Sequence, residues 1–148
     1  GFLKGFVAER IAESLSSFYG VIVNIGGDIF THGFDTNGQK FLFNFYNPIT
    51  DTFSEAFPLH NEAMATSGTY KRSWVVGEKK VFHIIDASLE NPASNLVSAT
   101  IIADHGDTAE AYATTAICLG KEKAQVFLDE KGVRYALITK DGKVTSTI

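Results

Sequence analysis

Cysteine is almost absent from this sequence. Cys118 stands alone, so no intrachain disulfide can form and the fold must rest on its own core. It lies in the apolar run Ala116-Ile117-Cys118-Leu119, where a buried, inert thiol is expected. One cysteine does not decide the redox compartment. Proline is sparse and dispersed, with three in 148 residues, and there is no repeat, low-complexity tract or linker. One compact domain over residues 1–148 is therefore expected. No apolar run approaches the length of a membrane span. Positive charge is not in excess. The formal net charge is −4, which argues against the counterion displacement that nonspecific nucleic-acid binding needs, and no nucleic-acid partner is expected. GxGxxG and GK[ST] are both missing, so neither the dinucleotide fingerprint nor the P-loop applies. No signal peptide is visible. The sequence opens at Gly1 without an initiator methionine and runs directly into a helical pattern, so a processed or truncated chain is expected.

What is present is an ordinary globular composition, 45% hydrophobic and 20% charged. Val7, Ile11, Leu15 and Phe18 recur at helical spacing, with Glu9, Arg10 and Glu13 off the stripe, so an amphipathic helix is expected to end at Gly20. The β-branched run Val21 to Ile25 reads as a buried strand, interrupted by Gly26-Gly27 before Asp28-Ile29-Phe30. Phe41, Phe43 and Phe45 alternate with Leu42 and Asn44 as in a strand covered on at least one face. Tyr70 to Val76 and Val81 to Ile85 form a hairpin candidate about Gly77-Glu78-Lys79-Lys80. Leu96 to Ala103 reads as another strand. Thr108 to Leu119 and Lys121 to Glu130 read as helices, ended by Gly120 and Gly132. Val133 to Thr139 and Val144 to Thr147 flank Asp141-Gly142, a hairpin signal. The order is helix, strands, two helices, hairpin. That order gives an α+β fold with a mostly antiparallel sheet packed with helices.

Several short clusters carry chemistry, and each also has a structural reading. Asn24-Ile25-Gly26-Gly27-Asp28 has paired glycines after a strand, which permit either close approach to a ligand or a β-bulge or corner. Ala65-Thr66-Ser67-Gly68 offers hydroxyls and amides suited to phosphate or a flavin edge, or a turn between strands. His83 and Asp86 close the run His83-Ile84-Ile85-Asp86. Three residues apart on a strand, they face opposite sides, so they are not an automatic pair. His83 is the best general-base candidate because an imidazole titrates near neutrality, although a strand histidine is commonly structural. Glu110 and Thr114 lie four apart on one helix face, where a carboxylate and a hydroxyl can grip a hard cation such as Mg²⁺. Alternatively Asp107 is an N-cap and Glu110 its capping-box partner.

Taken together and in order, these segments resemble the FAD:protein FMN transferase (ApbE-like) family. Lys4-Gly5-Phe6-Val7-Ala8-Glu9-Arg10 is similar to its Lys-Gly-Tyr-Ala-Val-Asp-Arg segment. Asn24 to Asp28 matches Asn-Ile-Gly-Gly-Asp, and Ala65 to Gly68 matches Ala-Thr-Ser-Gly, with Tyr70 and Arg72 following as in the family. His83 to Asp86 matches His-Ile-Ile-Asp, with Ala87 where proline is usual. Pro92-Ala93-Ser94-Asn95 resembles Pro-Val-Ser-Asn, and Thr108 to Thr114 resembles Thr-Ala-Asp-Ala-Leu-Ala-Thr.

The resemblance implies a T-fold-related domain and an enzyme that splits FAD at its pyrophosphate with Mg²⁺. FMN is then esterified to a threonine or serine of a target protein and AMP is released. Hydrolysis of FAD to FMN and AMP, or flavin binding without turnover, are the alternatives. The implied acceptor is a membrane redox-complex subunit or an FMN-binding domain, and the implied setting is the bacterial cell envelope. By the same resemblance, Glu110, Thr114 and a carbonyl at or near Leu3 hold the metal. Lys4, Glu9, Asn24, Gly26, Gly27, Asp28, Thr66, Ser67, Gly68 and Asp86 contact the flavin nucleotide, and His83 is catalytic. Lys4, Glu9, Asn24 to Asp28 and Ala65 to Gly68 are expected to surround one cleft. Two features depart from the family pattern. Members run to about two domain-sized halves, so the N-terminal half is expected to be missing here. In addition, Glu110 stands where the family has aspartate.

Overall fold

The computed structural model describes residues 3–70, 73–76, 79–82 and 95–148. Helix α1 spans Leu3–Ser14. The β-branched run then forms β1 (Gly20–Ile25), which pairs antiparallel with β2 (Asp28–Gly33). Short strands follow: β3 (Phe41–Phe43), β4 (Tyr46–Asn47), β5 (Thr52–Phe53) and β6 (Phe57–Leu59). Next come β7 (Ala63–Gly68), the hairpin β8 (Ser73–Val76) and β9 (Lys79–Phe82), and β10 (Leu96–Ala103). Helices α2 (Gly106–Leu119) and α3 (Lys121–Lys131) precede β11 (Arg134–Thr139) and β12 (Val144–Ser146).

The fold is α+β. A six-stranded sheet runs β1-β2-β7-β10-β11-β12, and every pairing in it is antiparallel. Strand alternation sorts its side chains onto two faces. One face meets the helices: Ala63 and Ala65 of β7, Phe30 of β2 and Ala103 of β10 pack against Ala8, Ala12 and Ala109. Further along, Leu96, Ala99, Ile101, Tyr135 and Leu137 pack against Ala113, Ala116 and Ile117 of α2 and against Ala124 and Leu128 of α3. The intervening residues Ile29, Met64 and Ile102 point the other way and are covered by Phe57 and Leu59 of β6. Fully burying each large aliphatic side chain contributes about 1.5–3 kcal/mol, so this two-sided core is the main source of stability.

Alanine at the helix–sheet contact lets α1 and α2 lie close to the sheet and to each other. At their crossing two glycines meet. A Cβ built on Gly5 would lie 2.0 Å from the carbonyl oxygen of Gly106, and one on Gly106 would lie 2.1 Å from that of Gly5. Backbone rests on backbone there, and no other residue fits.

Several sequence expectations need correction. The buried stripe of α1 is Gly5, Ala8, Glu9 and Ala12, whereas Ile11, Leu15 and Phe18 are exposed. Periodicity in large apolar residues pointed to the wrong face, because the real contact uses small residues for close approach. The helix also stops at Ser14. Ala65 to Gly68 is not a turn but belongs to the central strand β7, paired along its whole length with β10. Cys118 is half-buried rather than buried. The Asp141-Gly142 hairpin is present, with the Lys143 backbone carbonyl accepting from the Thr139 amide across it.

Gly26-Gly27 is neither a bulge nor a corner but the two-residue loop of the β1–β2 hairpin, since Ile25 pairs with Asp28. Both glycines have positive φ, +62° and +100°, as a tight turn matching the strand twist requires. Asn24 reinforces the turn, its Oδ1 accepting from the Gly27 amide at 2.9 Å. A Cβ at Gly27 would meet nothing within 4 Å, so only backbone strain opposes a side chain. Gly27→Ala should therefore cost about 1–2 kcal/mol. Urea unfolding with an unchanged m-value checks this, and a loss below about 0.5 kcal/mol would mean that the turn is unstrained.

Candidate functional site

The helix face of the sheet gathers a polar cluster where β2, β7, α1 and α2 converge. Asp28 opens β2 on the same face as Phe30 and is 2% exposed. The Lys4 ammonium of α1 pairs with its carboxylate and lies 3.7 Å from Oε1 of Glu110. Glu110, one turn into α2, is 6% exposed, and its Oε2 accepts from the Gly5 amide at 3.0 Å. One turn further, the Thr114 hydroxyl hydrogen-bonds that of Ser67 at 3.0 Å. The cluster thus holds two buried carboxylates, one half-exposed ammonium and two hydroxyls. Burial pushes the Asp28 carboxyl above the ordinary carboxylate range, and outweighs the opposing pull of Lys4 and of the Thr66 backbone amide.

The expected residues divide between this cluster and other places. Lys4, Asp28, Ser67, Glu110 and Thr114 come together. Thr66 lies on the opposite face of β7, where its hydroxyl pairs with that of Thr100 at 2.9 Å. Only its main chain reaches Asp28. Asn24 is engaged in its own hairpin. Gly26 and Gly27 leave open backbone at the hairpin tip, and Gly68 ends β7 against the Tyr70 ring. Leu3 opens α1 with a side chain 69% exposed. Glu9 is turned away from Lys4: its Oε2 accepts from the Gly106 amide at 2.7 Å and its Oε1 meets His105 Nδ1 at 2.8 Å. His83 and Asp86 lie outside the described residues.

The capping-box reading of Glu110 is overturned. His105, not Asp107, occupies the N-cap of α2, and Glu110 reaches across to α1 instead of back to its own helix end. The free amide of Gly106, the first residue of α2, is met by Glu9 from α1. Sequence reading had no signal for His105. Only the approach of α1 to α2 brings it against a carboxylate 96 residues away.

Among the described residues, no three His, Cys, Asp or Glu side chains gather as a metal cage. The donors that do converge are hard oxygens, carboxylate and hydroxyl, and two buried carboxylates exceed one ammonium in charge. That donor set suits Mg²⁺, which takes few protein ligands and keeps waters, and does not suit a soft metal.

Two predictions arise from this geometry. Lys4→Met removes the ammonium that compensates Asp28 and Glu110. Lys4 is half exposed, so the loss should be about 1–2 kcal/mol rather than that of a fully buried pair. Millimolar Mg²⁺ should restore much of it, and thermal melts with and without Mg²⁺ check both parts. A variant as stable as wild type would show that the ammonium compensates nothing.

The second concerns His105. Its hydrogen bond to Glu9, and then the charge of Glu9, raise its pKa above the ordinary 6.5. A raised folded-state pKa means stability that is fully present below 6.5 and lost as pH rises through the folded value. The melting temperature should fall slightly across that window. His105→Gln should flatten the profile, and an unchanged profile would show no linkage.

An antiparallel sheet with three helices on one face, and an oxygen-rich cluster where α1 and α2 meet it, define the class of domain. The chain matches the ApbE family model over residues 1–138 and belongs to that family. It is 31% identical over 147 residues to an FAD:protein FMN transferase of Buchnera aphidicola subsp. Baizongia pistaciae, covering 93% of this chain and 42% of that protein. The crystal structure of the ApbE protein of Thermotoga maritima matches with a TM-score of 0.85 at 28% identity, over 98% of this chain and 49% of that one. The apo form of the flavinyl transferase ApbE of Pseudomonas stutzeri matches at 0.84 and 20% identity, over 99% of this chain and 48% of that one, a likeness of fold. The chain therefore spans about two fifths of the length of the curated relatives it matches.

Proposed function

We propose that this chain carries the metal-binding and much of the flavin-nucleotide-binding machinery of an FAD:protein FMN transferase, which moves FMN from FAD to a threonine or serine hydroxyl of an acceptor protein and releases AMP. The observation that carries this reading is the cluster of Lys4, Asp28, Ser67, Glu110 and Thr114. It is a buried, oxygen-rich, negatively biased site formed by residues in the family's motifs.

Glu110 and Thr114, with a carbonyl near Leu3, would hold Mg²⁺. When bound, the ion offsets charge developing on the pyrophosphate oxygens. Lys4 supplies a second positive charge to those oxygens. The open glycine backbone at Gly26-Gly27 would let the nucleotide approach closely, and the Ser67 hydroxyl near the end of β7 would hydrogen-bond to it. The acceptor oxygen bonds to the FMN phosphorus while the bond from that phosphorus to the bridging oxygen breaks, and AMP leaves with that oxygen. The hydroxyl proton passes to a base, a role proposed for His83.

The test is a titration of FAD into the chain, followed by flavin fluorescence, with and without Mg²⁺. Saturable binding strengthened by Mg²⁺ and weakened in Lys4→Met and Thr114→Val supports the reading. Binding indifferent to Mg²⁺ and to both substitutions contradicts it.

A further inference from the structure

The starts of α1 and α2 carry one six-residue pattern twice, in Lys4-Gly5-Phe6-Val7-Ala8-Glu9 and His105-Gly106-Asp107-Thr108-Ala109-Glu110. Both read as cation, glycine, two variable residues, alanine, glutamate. A repeat this short escapes a search of the whole chain, but the structure gives it a physical meaning. Each glutamate reaches across to the other helix. Glu9 Oε2 accepts from the Gly106 amide at 2.7 Å, and Glu110 Oε2 accepts from the Gly5 amide at 3.0 Å. The other oxygen of each faces the cation before that glycine, at 2.8 Å for Glu9 with His105 and 3.7 Å for Glu110 with Lys4. The two glycines touch backbone to backbone, and Ala8 and Ala109 are fully buried. Each helix thus does for the other's first turn what the other does for its own. The first-turn amides have no partner within their own helices, so a carboxylate from the neighbour fills a real vacancy.

We propose that Glu9 is a positioning residue, the remote half of a reciprocal clasp that fixes where Glu110 stands relative to Lys4 and Asp28. Glu9 holds the first turn of α2, and Glu110 sits one turn further along that helix. Releasing Glu9 frees α2 to shift or tilt at its start. The bond from Gly5 to Glu110, and with it the aim of the Glu110 oxygens, changes as a result. The Gly5–Gly106 contact makes the coupling stiff, because the two backbones have no side chain between them to deform. The inference rests on the reading of Glu110 as a metal-holding carboxylate, and it assigns Glu9 to helix placement rather than to contact with the nucleotide.

The test uses Mg²⁺ titration by calorimetry, together with amide hydrogen exchange at Gly5 and Gly106, in wild type, Glu9→Gln, Glu9→Ala and Glu110→Ala. Outer partners of metal ligands commonly change affinity by about 10- to 100-fold. Glu9→Ala should weaken Mg²⁺ binding by about tenfold. Glu9→Gln keeps an acceptor for the Gly106 amide without the charge and should fall between wild type and Glu9→Ala. In both variants the Gly5 amide, which Glu9 does not touch, should exchange faster. A folded Glu9→Ala protein with wild-type Mg²⁺ affinity overturns the proposal. So does a Glu9→Gln protein identical to wild type in Gly5 exchange, which decides the matter if Glu9→Ala does not fold. Weakened FAD binding with Mg²⁺ affinity unchanged also overturns it, by making Glu9 a nucleotide contact. If wild type and Glu110→Ala alike fail to bind Mg²⁺, the metal reading of Glu110 fails, and the clasp is then judged on Gly5 exchange alone.

Discussion

Gly5→Ala should lower folding stability by about 3–5 kcal/mol, although alanine is the better helix former. The added methyl would sit 2.0 Å from the backbone oxygen of Gly106, and no rotamer change can relieve a backbone clash. The helices must separate, and overpacking of this kind costs about 1–3 kcal/mol. Separation also stretches the bonds from the Gly5 amide to Glu110 and from the Gly106 amide to Glu9. Hydrogen bonds to charged groups contribute about 1.5–3 kcal/mol each, and partial loss of both adds to the clash. The gain in helix propensity offsets at most about 1 kcal/mol. Urea unfolding gives the number directly, and the melting temperature should fall by about 10 °C or more. A loss below about 1 kcal/mol would mean that the helices do not meet at these glycines. Gly27→Ala provides the contrast, because it carries strain without a clash.

His83→Ala should reduce the rate of flavin transfer by about 10²- to 10⁴-fold, as removal of a general base does. FAD affinity should stay within about tenfold, or about 1.4 kcal/mol. The reason is that a base acts on a proton in flight. Its contribution belongs to the transition state and has little claim on ground-state binding. A histidine that served only packing would behave differently. Its removal would leave a cavity or an unpaired polar group and lower stability first. Melting temperature, FAD affinity and rate measured together separate the two. A stable, FAD-binding, slow variant supports the base. A destabilised variant, or a stable one with normal turnover, removes His83 from the chemistry.

Much of the fold was readable along the chain because its signals are local. The β-branched run of β1, the glycines ending α2 and α3, and the Asp141-Gly142 turn all act within a few residues and lie where their residue types place them, although β1 is a half-exposed edge strand and not a buried one. The buried face of α1 is not legible locally because its burial is decided by a partner distant in sequence. Gly5, Ala8 and Ala12 are buried for being small, whereas periodicity weighs residues for being large. β7 carries no local strand signal for a related reason. Ala-Thr-Ser-Gly has turn-like residues, and only pairing with β2 and β10 makes it a central strand.

The candidate site was legible as a set of residues and not as a geometry. Spacing linked Glu110 to Thr114 but offered a cap in place of the bond to Gly5. Nor does spacing show that the Glu9 carboxylate meets Gly106 and His105 of a distant helix. Alternation along β7 separates Thr66 from Ser67, sending one hydroxyl to Thr100 and the other to Thr114. Each of these outcomes depends on contacts between segments far apart in the chain, which local spacing does not encode.

Covalent transfer of FMN would be read from the mass of an acceptor protein. The chain is incubated with FAD, Mg²⁺ and a threonine-containing acceptor protein, alone and with the N-terminal half of a relative supplied. Nucleotides are quantified alongside the acceptor mass. The prediction is an acceptor heavier by one FMN less water, one AMP released per FMN attached, and no reaction when EDTA removes the metal. Free FMN and AMP with an unmodified acceptor, or FAD left intact under both conditions, would contradict it.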